Sequence, residues 1–375
     1  MRHREIAERR DTLRLRDSVL VFHRGLRVQF ISTTDLRVLE FDVLPFVIEL
    51  IPLLDGSNSV RAIESILEGE AGYSRESLDK VLKIMESARL FDLHAEPSPA
   101  VSDRFERQQR LFQEFASTFA MEETPSELQE KLRTAKVVVV GIGGTGTWIL
   151  QSLVSAGVGQ LEIFDPDVVE LTNLNRQVLF QPDDVGLPKV KVAGERFRSI
   201  NQDLKVTAHH RRVLTPADLA PALDGASLVI ACADEPDVVS ISDVIAASAA
   251  QEGIPHIVGG AYGGNLGVPG TSVIPGQTVC WPCIRAQTMN DHNRRDFIPL
   301  KGRTRSGGST AAISGLVANL TAWEAMRILL GLPLALSGQV RELDLFTLDW
   351  RIRKLKSVKG CSACHDADAP LKPAG

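Results

Sequence analysis

The chain has 375 residues, 44% of them hydrophobic, and 42 Lys and Arg against 47 Asp and Glu, for a formal net charge of −5. That length suggests two domains, or one with an appendage, and either can bury a sizeable core. The charge balance excludes a general nucleic-acid binder, and no run reaches the roughly 18 uncharged apolar residues of a membrane span.

The nearest approach to a span, residues 41–54, is broken by Asp42, Glu49 and two prolines, and residues 1–10 hold no apolar core for a secretory signal. The expectation is a cytoplasmic protein with no membrane or nucleic-acid partner. Residues 13–23, 24–32 and 37–42 read as short strands, with Arg24-Gly25 as a hairpin turn. Val60, Ile63 and Leu67 recur at helical spacing, as do Leu78, Val81, Leu82 and Met85 behind a Ser74 N-cap. The result is a small, winged-helix-like α+β domain, residues 1–97, followed by a Pro- and Ser-containing linker at 95–103 and a polar helix at 104–133.

From Lys136 the texture changes. Apolar strands at 136–141, 160–165, 205–210, 227–234 and 255–260 alternate with helical segments. This implies an α/β domain, residues 98–375, with a Rossmann-like, mostly parallel sheet covered on both faces.

The first of these strands runs into Gly141-Ile142-Gly143-Gly144-Thr145-Gly146. Glycines at this spacing allow a tight turn and close backbone approach to a ligand, and the following helix N-terminus attracts phosphate. Asp165 ends the next strand, where a carboxylate can bind ribose hydroxyls. To this point NAD and ATP are equally served. The run Asp165-Pro166-Asp167-Val168-Val169-Glu170-Leu171-Thr172-Asn173-Leu174-Asn175-Arg176-Gln177 separates them, with Lys189 following Pro188 at a helix start. A dehydrogenase has no use for this arginine and lysine, whereas an enzyme releasing pyrophosphate from ATP needs positive charge there. Asp234 closes the strand at 227–234, at the sheet edge where such folds bind ligands, and suits Mg²⁺.

Two Cys-x-x-Cys pairs, Cys280/Cys283 and Cys361/Cys364, have 77 residues between them. In a cytosolic chain this spacing reads as one closed Cys₄ site for Zn²⁺, structural because no ligand position is left open.

This ordered set resembles the ThiF/MoeB/E1 superfamily of adenylating enzymes over residues 104–366. The resemblance implies that Asp165 binds the ribose, that Asn173, Arg176 and Lys189 line the phosphate site, and that Asp234 holds Mg²⁺ near the reacting carboxylate. It implies the same structural zinc. An early family motif appears as Arg104-Phe105-Glu106-Arg107-Gln108, which makes Arg107 a finger reaching the ATP of a second subunit and the protein a homodimer. The relatives that pass their acyl group to a cysteine find no match here. Residues 286–308 contain no cysteine, and Cys232 sits within an apolar strand. That segment instead carries Arg294, Arg295, Lys301, Arg303 and Arg305, with His292.

The first domain is similar to the PqqD-like element that binds a leader peptide as an added strand. With it, the chain resembles peptide-modifying enzymes of the microcin C and pantocin type, which adenylate a carboxyl group of a ribosomally made precursor. The expected function is therefore carboxylate adenylation on a peptide, with ATP, Mg²⁺ and Zn²⁺. Two alternatives stay open: activation of a ubiquitin-like sulfur carrier, and a leader-binding partner of a cyclodehydratase.

Overall fold

The structure, a computed structural model, describes residues 12–93, 104–291, 308–361 and 363–364. The linker, the basic residues at 292–307 and His365 lie outside these. Two compact units result, Met1–Gln129 and Glu130–Gly375.

The first unit runs β1 (Thr12–Arg14), β2 (Val19–Arg24), β3 (Arg27–Ser32), β4 (Val38–Asp42), α1 (Pro45–Leu53), β5 (Asp55–Ser59), α2 (Val60–Leu67), α3 (Arg75–Ser87) and α4 (Glu106–Phe119). β2, β3 and β4 form an antiparallel sheet, and β1 pairs with β5. The expected first strand divides because Arg16 turns inward. Its guanidinium is buried against Glu114, 2.7 Å away, and its carbonyl accepts from the Val19 N–H to close a turn. The β2–β3 turn falls where expected, with Gly25 at φ 61°, a left-handed conformation that glycine adopts at little cost. Ser59 caps α2, and Ser74 forms a capping box with Ser77 on α3. Phe46 and Leu50 of α1, Ile63 and Leu67 of α2, and Leu78 and Leu82 of α3 pack on Val28 and Phe30. The helix expected at 104–133 is two helices. Ala120, at φ 53°, ends α4, and Thr124 with Glu127 caps α5 (Pro125–Thr134), which spans the boundary between the units.

The second unit continues with β6 (Lys136–Val140), α6 (Gly144–Ser155), β7 (Gln160–Phe164), α7 (Lys189–Ile200), β8 (Lys205–His209), α8 (Pro216–Leu223), β9 (Leu228–Ala231), α9 (Val238–Gln251) and β10 (His256–Val258). Then come β11 (Ala261–Gly263), β12 (Leu266–Val268), β13 (Thr271–Val273), α10 (Trp281–Asp291), α11 (Ala311–Leu330), β14 (Gln339–Asp344) and β15 (Trp350–Lys354). The main sheet has the order β13-β10-β9-β6-β7-β8 and is parallel except for β13 at its edge. Val137 and Val139 face a core with Leu150, Phe197 and Ala322, while Val138 and Val140 face one with Leu219, Ile245 and Trp281. Burial on both faces explains why these strands read as unbroken apolar runs. Strand order reverses at β6 and β9, so their carboxyl ends open the crevice in which such sheets bind ligands.

A second, antiparallel sheet, β11-β12-β14-β15, is a finding of the structure alone. Glu324 of α11, which is 1% exposed, accepts from Ser272 Oγ of β13 and from the N–H groups of Ala335 and Leu336, so it ties the edge of the main sheet and the loop that leads into β14 to that helix.

Candidate functional site

The glycine loop leaves β6 and enters α6 at the crevice, and its glycines have different tasks. Gly141 sits at φ 100°, and a Cβ there would lie 2.5 Å from the Ala233 nitrogen. A Cβ on Gly146 would run into the carbonyl of Gly141. These two let the loop close on β9 and on itself. Gly143, the N-cap residue of α6, faces open space. A phosphate can approach there, toward the unsatisfied N–H groups and positive dipole end of α6. Gly144 lies against the hydroxyl of Tyr262 on β11.

Asp165 follows β7 and is buried, with both oxygens engaged. Oδ2 accepts from the Ile142 N–H at 2.6 Å and Oδ1 from the Asp167 N–H at 2.9 Å. Burial raises its pKa, opposed by nearby Lys189 and by these N–H groups. The residue expected at the ribose therefore also fixes the glycine loop against the next strand. Each carboxylate oxygen keeps a further lone pair for a ligand hydroxyl.

Lys189 is the first residue of α7, a position the helix dipole disfavours for a cation. It is buried nonetheless, and its Nζ lies 2.9 Å from Asp167 Oδ2. The Lys189 N–H also donates to the Asp167 carbonyl, so the two chain segments are joined twice. Asn173 is buried and accepts from the Glu170 N–H, closing the turn that presents Arg176. Arg176 Nη1 donates to the Thr172 carbonyl and to Asn175 Oδ1, and Trp148 of α6 holds the Arg176 carbonyl at 3.1 Å. Both cations are thus aimed by neighbours while retaining further N–H donors.

Asp234 lies just beyond Ala233, the residue that packs on Gly141, and is exposed. Among the described residues nothing bonds to its carboxylate. Next to it, Glu235 pairs with Arg212 at 2.6 Å. Cys232 has its thiol pushed up to about 12 by burial, although Thr145 bonds to it, so it is a poor nucleophile. Arg107 is exposed on the first turn of α4, in the first unit.

The four paired cysteines converge, their Sγ atoms all within 4.8 Å of one another. Cys280 and Cys361 are 3.6 Å apart and Cys283 and Cys364 3.8 Å, far beyond a disulfide bond. Four thiolates at about 2.3 Å from one Zn²⁺ stand about 3.8 Å apart in a tetrahedron, so the set fits that ion. The Cys280 N–H donates to Cys364 Sγ and the Val358 N–H to Cys283 Sγ, an outer shell that orients the sulfurs. Among the described residues no helix is long and apolar enough to cross a membrane.

Sequence reasoning missed Tyr262, Ser309 and Trp148. Tyr262 reaches the glycine loop from across the fold, with Ser309 bonded to its hydroxyl, and no local pattern marks such long-range contacts. Trp148 carried a weak signal, a large aromatic one turn into a helix that opens with glycines.

The ThiF family model matches residues 115–363. The sulfur carrier protein ThiS adenylyltransferase of Escherichia coli is 30% identical over 262 residues, 69% of this chain and 98% of that protein. Among solved structures, Escherichia coli MccB, crystallised with AMPCPP and MccA, is similar with a TM-score of 0.73 at 20% identity, over 94% of this chain and 99% of its own. PaaA is similar with a TM-score of 0.70 at 21% identity, over 91% and 99%.

Proposed function

We propose a function from one premise: the chain belongs to the ThiF family and is an adenylyltransferase of that family. Its substrate, in this reading, is a carboxylate of a ribosomally made precursor peptide. One observation carries the choice. The adenylyltransferase relative matches 69% of the chain, whereas the MccB fold extends over 94%, so it takes in most of the first unit as well.

The peptide carboxylate oxygen attacks the α-phosphorus of ATP. The bond from that phosphorus to the β-phosphate oxygen breaks, pyrophosphate leaves, and a mixed carboxylic–phosphoric anhydride remains. Asp165 binds the ribose. The open face at Gly143 and the α6 N-terminus take the phosphates, with Asn173 lining that site. Lys189 and Arg176 meet the charge that builds on the leaving pyrophosphate, where preorganised donors lower a barrier most. Asp234 suits Mg²⁺, with its exposed carboxylate at the crevice, and the ion when bound neutralises phosphate charge. The Cys₄ set holds a structural Zn²⁺. Arg107 acts on the ATP of a second subunit in a homodimer. The burial of Cys232, which raises its thiol pKa, speaks against thioester relay, so the anhydride is captured directly by a nitrogen or sulfur nucleophile or by cyclisation.

The first unit, in this reading, is a PqqD-like element that grips the peptide at β4. That strand pairs only with β3 among the described residues. The Arg37 carbonyl and the Val43 N–H both bond toward β3, so by strand parity those of Val38, Glu40 and Asp42 point away from it. They present a main-chain edge for an added strand.

The test is exchange of labelled pyrophosphate into ATP. Exchange that depends on a precursor peptide supports the proposal, and exchange only with a Gly-Gly-ending carrier protein refutes it. The name of the 30%-identical relative favours that second reading, activation of a sulfur carrier.

A further inference from the structure

Tyr262 belongs to β11 of the second sheet, yet its hydroxyl lies against Gly144, the first residue of α6. A side chain at position 144 would displace it, so the glycine there accommodates the tyrosine. The hydroxyl is tied into a chain of hydrogen bonds. Ser309 Oγ donates to Tyr262 Oη at 3.0 Å, Asn175 Nδ2 donates to the Ser309 carbonyl at 2.9 Å, and Arg176 Nη1 donates to Asn175 Oδ1 at 3.0 Å. The chain links the arginine of the phosphate site to a phenol at the mouth of the glycine loop. Because Tyr262 Oη accepts from Ser309, its own hydrogen is left to donate. Gly143 beside it faces open space, and Gly143, Gly144, Thr145 and Tyr262 are all part-exposed, as a ligand-lined rim requires.

We propose that Tyr262 is a further nucleotide-contacting residue, donating its phenolic hydrogen bond to a phosphate oxygen of ATP at the N-terminus of α6. Ser309 and Asn175 position it. The proposal rests on the reading of the glycine loop as an ATP site. It adds a donor from the second sheet to a site otherwise built by the parallel sheet. A hydroxyl bonded to a charged acceptor contributes more than a neutral pair, so its removal is readable in affinity.

The experiment is calorimetric titration of the full-length protein, with no acyl substrate, using ATP and separately adenosine. Tyr262→Phe keeps the ring and removes only the hydroxyl. It weakens ATP binding by roughly tenfold or more and leaves adenosine binding within about twofold. Ser309→Ala, which only loosens the phenol, weakens ATP by a smaller factor, about threefold. Unchanged ATP affinity in Tyr262→Phe overturns the proposal. So does an equal loss for ATP and adenosine, which is the mark of a structural role. A wild-type protein that binds no ATP refutes the adenylation reading, and this proposal with it.

Discussion

The two units use their backbones in opposite ways. In the second, β6 is bonded on both sides, by β7 and β9, and its polar groups are consumed in the sheet. In the reading proposed above, the chemistry falls to side chains beyond the strand ends: Asp165, Arg176 and Asp234 on loops and Lys189 at the start of α7. In the first unit the sheet is only three strands wide, and β4 presents an outward edge of main-chain groups. A catalytic site of the first kind demands particular residue types at particular places. A main-chain edge accepts almost any residue that tolerates an extended conformation.

The largest effect should separate the units. Structural zinc in small domains contributes on the order of 10 kcal/mol to folding, so removing it, or introducing Cys283→Ser, unfolds the second unit. Amide hydrogen exchange should show β6, β7 and β9 losing protection while α1, α2 and α3 keep theirs. Full protection of the second unit after complete zinc removal sinks the claim. Simultaneous loss in both units breaks the comparison instead.

Next, Asp234→Ala reduces pyrophosphate exchange by about a thousandfold, a loss of about 4 kcal/mol of transition-state stabilisation. Its circular dichroism stays that of the wild type, because the exposed side chain supports no other contact among the described residues. Normal exchange in this variant removes Asp234 from the site.

The third effect belongs to the first unit and is pH-dependent. Burial, and then the nearby Glu114 carboxylate, push Asp92 from 3.8 up to about 7. Between those values the unfolded chain has released the proton while the folded unit retains it. Stability therefore falls as pH rises from about 4 to about 7 and levels off above, with a total on the order of 4 kcal/mol at most. Hydrogen exchange of α1–α3, corrected for intrinsic rates, follows that decline in the wild type. Asp92→Asn abolishes it, and a wild type with no decline contradicts the assignment.

The smallest effect tests the strand edge. Glu40→Pro removes an N–H that points away from β3, a substitution that edge strands tolerate. It weakens precursor-peptide binding by about three- to tenfold, measured by fluorescence anisotropy, with ATP affinity unchanged. Undiminished peptide binding places the peptide elsewhere.

Legibility from sequence followed the same division. The turn at Gly141 and Gly146 and the convergence of the four cysteines were readable because a tight glycine turn and a thiol cluster of metal-ligand spacing each admit few residue types. Even so, the structure divided the glycines by task and showed a structural duty for Asp165 that no sequence pattern marked. Helix α1 escaped because it carries Pro52 in its last turn and apolar residues around most of its circumference, so it shows no clear period. The break at Ala120 escaped because alanine does not signal a left-handed conformation. The second sheet escaped because β11 and β12 are three-residue strands that each contain glycine. What the sequence hid were contacts between distant segments, and Tyr262 on Gly144 is of that kind.

The central claim is that a peptide carboxylate is joined to AMP. It is tested most directly with a precursor peptide carrying ¹⁸O in its carboxyl group, incubated with the full-length protein, ATP, Mg²⁺ and hydroxylamine as a trap. Hydroxylamine attacks the acyl carbon and the carbon–oxygen bond breaks, so the account predicts one ¹⁸O in the released AMP and a hydroxamate on the peptide. Unlabelled AMP, or label appearing in inorganic phosphate alongside ADP, contradicts it.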